Sequence, residues 1–304
     1  MAEDKTRFRR TVAFGIIILL ILGGVLYVWS LPHFDLSEST QRQIQRYLGD
    51  NPIVIEVCHE PNATPSYYAL YTLQKRMETY AETDNITVFI HEIPKQHDIY
   101  TTRDLRIVEA NYRQTFTDDN TTSLFILYVE GNYSSIRTNS TEPPYPIPTE
   151  SQDLVAGLTY SDSSFAMFKS FFTDYIAEHH LPFDPEAYET SVLVHEWGHI
   201  IRLVNIGYES KFDHQTHGHH SRNPRCVMFY TVMYVYATTQ DPPTDFGFQS
   251  QQDIVMLKQS SGLGSGWDIL SYRLDRWKEE IGGIVAGLVL IGLAVTYYRG
   301  RKKS

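Results

Sequence analysis

The residues of this chain best suited to chemistry are His195, Glu196 and His199, within the run His195-Glu196-Trp197-Gly198-His199. On an α-helix, residues four apart stand one above the other on a single face. Two neutral imidazoles so placed can both reach one tetrahedral Zn²⁺ at about 2.0–2.1 Å. Glu196 then lies beside the metal, positioned to take a proton from water. The competing reading is a core helix with two incidental histidines, and an HExxH run arises by chance in about three of a hundred chains of this size. The choice therefore turns on a third ligand, which a catalytic zinc requires. Residues 211–230, KFDHQTHGHHSRNPRCVMFY, offer four histidines, His214, His217, His219 and His220, together with Asp213. A surface histidine cluster that binds metal casually is the alternative there. Four protein ligands would close the site to substrate, so one loop histidine is expected to bind and the rest are not.

Positioning these groups needs a buried helix and a frame to bury it against. Residues 192–205, VLVHEWGHIIRLVN, are apolar on nearly every side, as a core helix is. Asp184 and Pro185 suit its N-cap and first turn, and Gly207 suits its end. Upstream, residues 35–50 read as a short polar helix. Residues 51–60, 85–93 and 123–133 are β-rich runs, while 67–81 and 104–116 carry helical apolar spacing. Strand, helix, strand, helix, strand predicts an α/β domain with a mixed, mostly parallel sheet. Residues 141–150 form a stiff, proline-rich loop. Residues 154–160 and 164–172 read as two strands or a strand and a short helix, and residues 250–260 as a closing helix.

The ends of the chain differ from its middle. Residues 11–31 and 281–298 are uncharged apolar runs long enough to cross a bilayer as helices. Lys5, Arg7, Arg9 and Arg10 precede the first, and Arg299, Arg301, Lys302 and Lys303 follow the second. The positive-inside rule then places tails 1–10 and 299–304 in the cytoplasm and residues 32–280 outside it, in a cell-membrane protein with two spans. The first run is longer than a signal-peptide core and no A-x-A-like site follows it, which favours an uncleaved anchor. Five of the nine asparagines stand in N-x-[ST] sequons, Asn62, Asn85, Asn120, Asn132 and Asn139, against about one or two expected by chance. A glycosylated exterior domain accounts for them. Of 26 basic and 36 acidic residues, eight basic and two acidic ones lie in the tails, which leaves 18 against 34 and a net −16 between the spans. That balance argues against a nucleic-acid partner. Cys58 and Cys226, the two cysteines, could form one bridge in an oxidising compartment or remain two buried thiols.

The run from HExxH to His220-Ser221, and then to Cys226-Val227-Met228, resembles the archaemetzincin pattern within the metzincin clan of zinc peptidases. That pattern reads HExxHxxGxxH, then Cys, four residues, Cys, one residue, Met. The tail agrees at His220, Cys226 and Met228, while Ser221 replaces a cysteine. Arg202 stands at the family's glycine and Asn205 at its third histidine, so an insertion would have moved the ligand downstream to His220. The resemblance implies a metzincin-like sheet with a Met-turn at Met228, and it offers Tyr230 as a tyrosine near the metal. It also implies a zinc endopeptidase with His195, His199 and His220 as ligands, Glu196 as general base, and a peptide or protein substrate; with its two apolar spans the chain looks most like a membrane-anchored, archaeal-type relative of that family. A plan that takes a glutamate from a later helix as third ligand fits poorly, because Glu279 is the first glutamate after Glu209. The rival from another class is a non-catalytic zinc-binding membrane sensor or assembly protein, against which an intact Glu196 argues.

Overall fold

The run SLFILYV, residues 123–129, has neither a charge nor an alternation, as befits a strand covered on both faces. In the computed structural model it is the middle of a five-stranded sheet. The residues described are 34–134, 155–175, 178, 184–210, 215–229 and 242–263, all within one compact unit, Phe34–Leu263. Over these the elements are α1 (Glu38–Leu48), β1 (Ile53–His59), α2 (Tyr67–Tyr80), β2 (Ile86–Glu92), β3 (Ile99–Tyr100), α3 (Thr102–Tyr112) and β4 (Thr122–Val129). There follow β5 (Asn132–Tyr133), β6 (Gly157–Ser161), β7 (Ser164–Phe168), a π-helical turn (Phe171–Tyr175), α4 (Pro185–Ile200), β8 (Gln215–Thr216), β9 (His220–Ser221) and α5 (Phe248–Ser260). The main sheet has the order β2-β1-β4-β7-β6, parallel throughout except for the antiparallel edge pair β6–β7. The expected mixed, mostly parallel α/β sheet is therefore present.

Side chains alternate between two cores. Ile53, Ile55 and Val57 of β1, with Leu124 and Ile126 of β4, pack into a cluster that includes α1, α2, α4 and α5. Cys58, Phe125, Leu127 and Phe168 face a second cluster under α3, through Leu105 and Val108. Local signals start the helices: Ser37, Ser66 and Asp184 accept backbone N–H bonds at their N-caps, and Thr101 and Asp104 form a capping box.

Three expectations need correction or bounding. The HExxH helix does not run on to Gly207. It ends at Ile200, and the chain then turns through Arg202, Val204 and Asn205, all at positive φ, before Gly207 at φ 80°. The buried apolar side chains Ile201, Leu203 and Val204 compensate for that strained turn. Cys58 and Cys226 are both free and buried, because the sheet separates their two cores; Cys226 Sγ instead accepts the Gly247 N–H at 3.0 Å. Among the described residues no helix is long and apolar enough to cross a membrane, and both expected spans, the two tails, and the 141–150 loop lie outside those residues.

Candidate metal centre

The two helical histidines point one way because the helix puts them there, and their Nε2 atoms face each other at 3.1 Å. His220 joins them from β9, brought there by the hairpin β8–β9 and a turn that follows it. The ring centroids are 4.8 Å apart for His195–His199 and 5.1 Å for each pair that includes His220. One ligand atom from each of the three lies within 4.8 Å of the others. His217 and His219 stay exposed on the hairpin, with His219 Nδ1 donating to the Val204 carbonyl at 3.0 Å. His214, Asp213 and Tyr230 lie outside the described residues. Asn205 is occupied otherwise: it donates to Gln215 Oε1 at 2.5 Å and accepts from Ser210 N at 2.7 Å, which ties the turn after α4 to β8.

Backbone carbonyls set the tautomers. Nδ1 of His195 donates to the Val227 carbonyl at 2.7 Å, and Nδ1 of His220 to the His217 carbonyl at 2.8 Å. A neutral imidazole carries one N–H, so Nε2 of each is left with its lone pair for a ligand role. Burial, with the neighbouring rings, holds His195 down to about 3 and lowers both His199 and His220 below the ordinary imidazole value. Three neutral imidazoles gathered at one point, one buried and two half-buried, fit a zinc-class ion, the metal that HExxH calls for.

The segment Val227–Met228 packs against this group. Val227, whose carbonyl orients His195, is held by its own N–H to Asp245 at 3.0 Å, and Ser221 N donates to the Met228 carbonyl at 2.7 Å. That last bond ties the strand bearing His220 to the turn. Gly198, between the two helical histidines, lets Met228 approach: a Cβ there would sit inside contact distance of the methionine sulfur. Gly157 plays the same part for Glu196, since a Cβ on it would lie 2.8 Å from the carboxylate's Oε1.

Glu196 is buried, and its Oε2 accepts from Thr159 Oγ1 of β6 at 2.7 Å. Burial pushes its carboxyl up to about 7 in the metal-free protein, partly offset by the Thr159 bonds. A cavity of about 720 Å³ opens over these groups, lined by β6, His195, Glu196, His199, His220 and Phe229. The parts played by Thr159, Gly157, Gly198 and the Val227 carbonyl are not legible in the sequence, because each acts through a contact between distant segments.

No family model and no curated protein matches this chain. Among solved structures it has a likeness to archaemetzincin from Methanopyrus kandleri, at 11% identity over 69% of this chain and 96% of that one, with a TM-score of 0.44. The likeness is distant, and the functional reading rests on the residues of the site.

Proposed function

We propose that this chain is a zinc-dependent endopeptidase, with His195, His199 and His220 as ligands and Glu196 as general base. The observation that carries the reading is the meeting of three neutral imidazoles and one buried carboxylate at the floor of a single open cavity. Held by His195, His199 and His220, a zinc ion would supply Lewis acidity for the scissile carbonyl and for the attacking water. Glu196 takes the proton of the attacking water and passes it to the departing amine. Thr159 holds that carboxylate in place by one hydrogen bond. An extended peptide can be held along β6, an edge strand of the sheet that lines the cavity and supplies Thr159. Tyr230 is assigned to the oxyanion, two residues beyond Met228.

Glu196→Ala should abolish cleavage of a mixed peptide library while metal content stays at the wild-type level. Loss of metal in that variant would make Glu196 a ligand and remove the mechanism.

The same reading holds residues 32–280 outside the cell membrane, between two bilayer spans, with both termini in the cytoplasm. Asn62, Asn85, Asn120 and Asn132 are all exposed, as glycan acceptors must be. An impermeant label that reaches either terminus on intact cells would overturn this topology.

A further inference from the structure

The face of the sheet opposite the HExxH helix carries a second gathering of metal-ligating atoms. Cys58 of β1 and His91 of β2 are register partners across a parallel pair, and Glu56 precedes Cys58 by two residues on the same strand face. Cys58 Sγ lies 3.0 Å from His91 Nε2, which lies 3.1 Å from Glu56 Oε1. One ligand atom from each falls within 4.8 Å of the others. Glu56 and Cys58 are fully buried, whereas the His91 side chain is 17% exposed at the edge strand, which gives an ion a way in.

Proton counting shows what this group lacks. If His91 Nε2 carries a proton, it donates to Glu56, and the Cys58 S–H then faces a nitrogen that cannot accept. If Nε2 carries its lone pair, it accepts from Cys58 and then opposes a carboxylate lone pair at 3.1 Å. Glu56 is meanwhile almost saturated. Oε1 accepts from Gln114 N at 2.7 Å, and Oε2 from Thr115 N and Thr115 Oγ1, both at 2.6 Å. A carboxylate has about four acceptor positions; three hold the 114–115 loop and the fourth is aimed at His91 and Cys58. A fully buried carboxylate also needs a compensating charge, and His91, its ion-pair partner, supplies one only when protonated.

We propose that Glu56, Cys58 and His91 form a second divalent-cation site of the zinc class, separate from the three-histidine centre. One cation in place of the contested proton satisfies sulfur, nitrogen and oxygen together and neutralises Glu56. The Cys58 thiol proton leaves to solvent on binding, and the His91 proton resides on Nδ1. That atom lies 3.3 Å from the Gln114 amide, which can turn its oxygen to accept it. Zinc bond lengths of about 2.3 Å to sulfur and 2.0–2.1 Å to nitrogen need roughly 3.5 Å between those atoms. The His91 ring, stacked on Phe89 at 5.1 Å at the sheet edge, must therefore swing out by about half an ångström. A thiolate, an imidazole and a carboxylate leave a fourth position for water. The bound ion would clamp edge strand β2 and the 114–115 loop to β1.

The test uses the full-length chain, stripped by a chelator and titrated with Co²⁺ alone. The wild type should take up two ions per chain and show a thiolate-to-cobalt charge-transfer band, which the three-histidine centre has no sulfur to produce. Cys58→Ser and His91→Gln should each lose the band and one ion, whereas His220→Ala should keep the band and lose the other ion. If Cys58→Ser fails to fold, His91→Gln, at the partly exposed edge, decides the matter. A wild type with no band, or a band that survives in folded Cys58→Ser or in His91→Gln, overturns the site. A band present in a chain that cleaves no peptide would instead overturn the peptidase reading and leave this site standing.

Discussion

The two faces of the sheet each bring a glutamate and histidine together in a buried place, yet the two carboxylates are held differently. Glu56 accepts from two backbone N–H groups and a threonine hydroxyl, so its oxygens are pinned. Glu196 accepts through Oε2 from Thr159 and faces an open cavity. A base must give up and regain a proton within each turnover, which a carboxylate fixed by three donors cannot do without unmaking its surroundings. The lesson is that residue type and burial do not separate a base from a structural carboxylate; the number of donors it already serves does.

The largest expected effect comes from breaking the nitrogen set of the first region. His220→Ala should lose metal and peptide hydrolysis together, while His217→Ala and His219→Ala keep most of both, as read by metal analysis and a peptide assay. Metal and activity retained in His220→Ala would hand the third position to another loop residue.

Next in size is Glu56→Gln. An amide nitrogen cannot accept, so at least one of the buried donors at residues 114–115 is left without a partner, at about 1–3 kcal/mol. The urea midpoint of the chelated chain should fall accordingly. A variant as stable as wild type would erase the distinction between the two carboxylates.

The last expected effect is a pH slope. In the metal-free chain burial keeps His195 neutral down to about 3 and lowers His199 and His220, whereas unfolded imidazoles take up protons near 6.5. The unfolded state then binds more protons as the pH falls below 6.5, so stability should drop on acidification. Glu196, raised to about 7, works the other way: its contribution is present at acid pH and is lost as the pH rises towards 7. Three imidazoles outweigh one carboxylate, so the net slope below pH 6.5 is positive, up to about 1.4 kcal/mol per pH unit for each excess proton. Denaturant midpoints of chelated protein across that range check this; a flat profile would mean the three rings are not buried together.

Much of this site is legible in the amino-acid sequence, but only where the relevant geometry is local. The His195–His199 pairing follows from the helical repeat, and Asp184 with Pro185 opens that helix as capping chemistry requires. The helix end is misread because Gly207 gives the clear stop signal, while the true turn runs through Arg202, Val204 and Asn205 at positive φ. No residue type announces that strain; burial of Ile201, Leu203 and Val204 sustains it. The possible Cys58–Cys226 bridge shows the same limit, since strand alternation sends Cys58 to the face of the sheet away from Cys226.

By itself the sequence determined the order of the main strands and helices from α1 to β4, the run of buried β4, and the face on which His195 and His199 stand, since periods of 2 and 3.6 are fixed by the backbone. Only the tertiary structure decided that His220 meets them while His217 and His219 stay outside, that Thr159 holds Glu196, and that Met228 lies against Gly198. Each of those depends on where a loop closes or how a strand crosses a helix. Many closures are nearly equal in entropy, and packing across the whole core selects one of them.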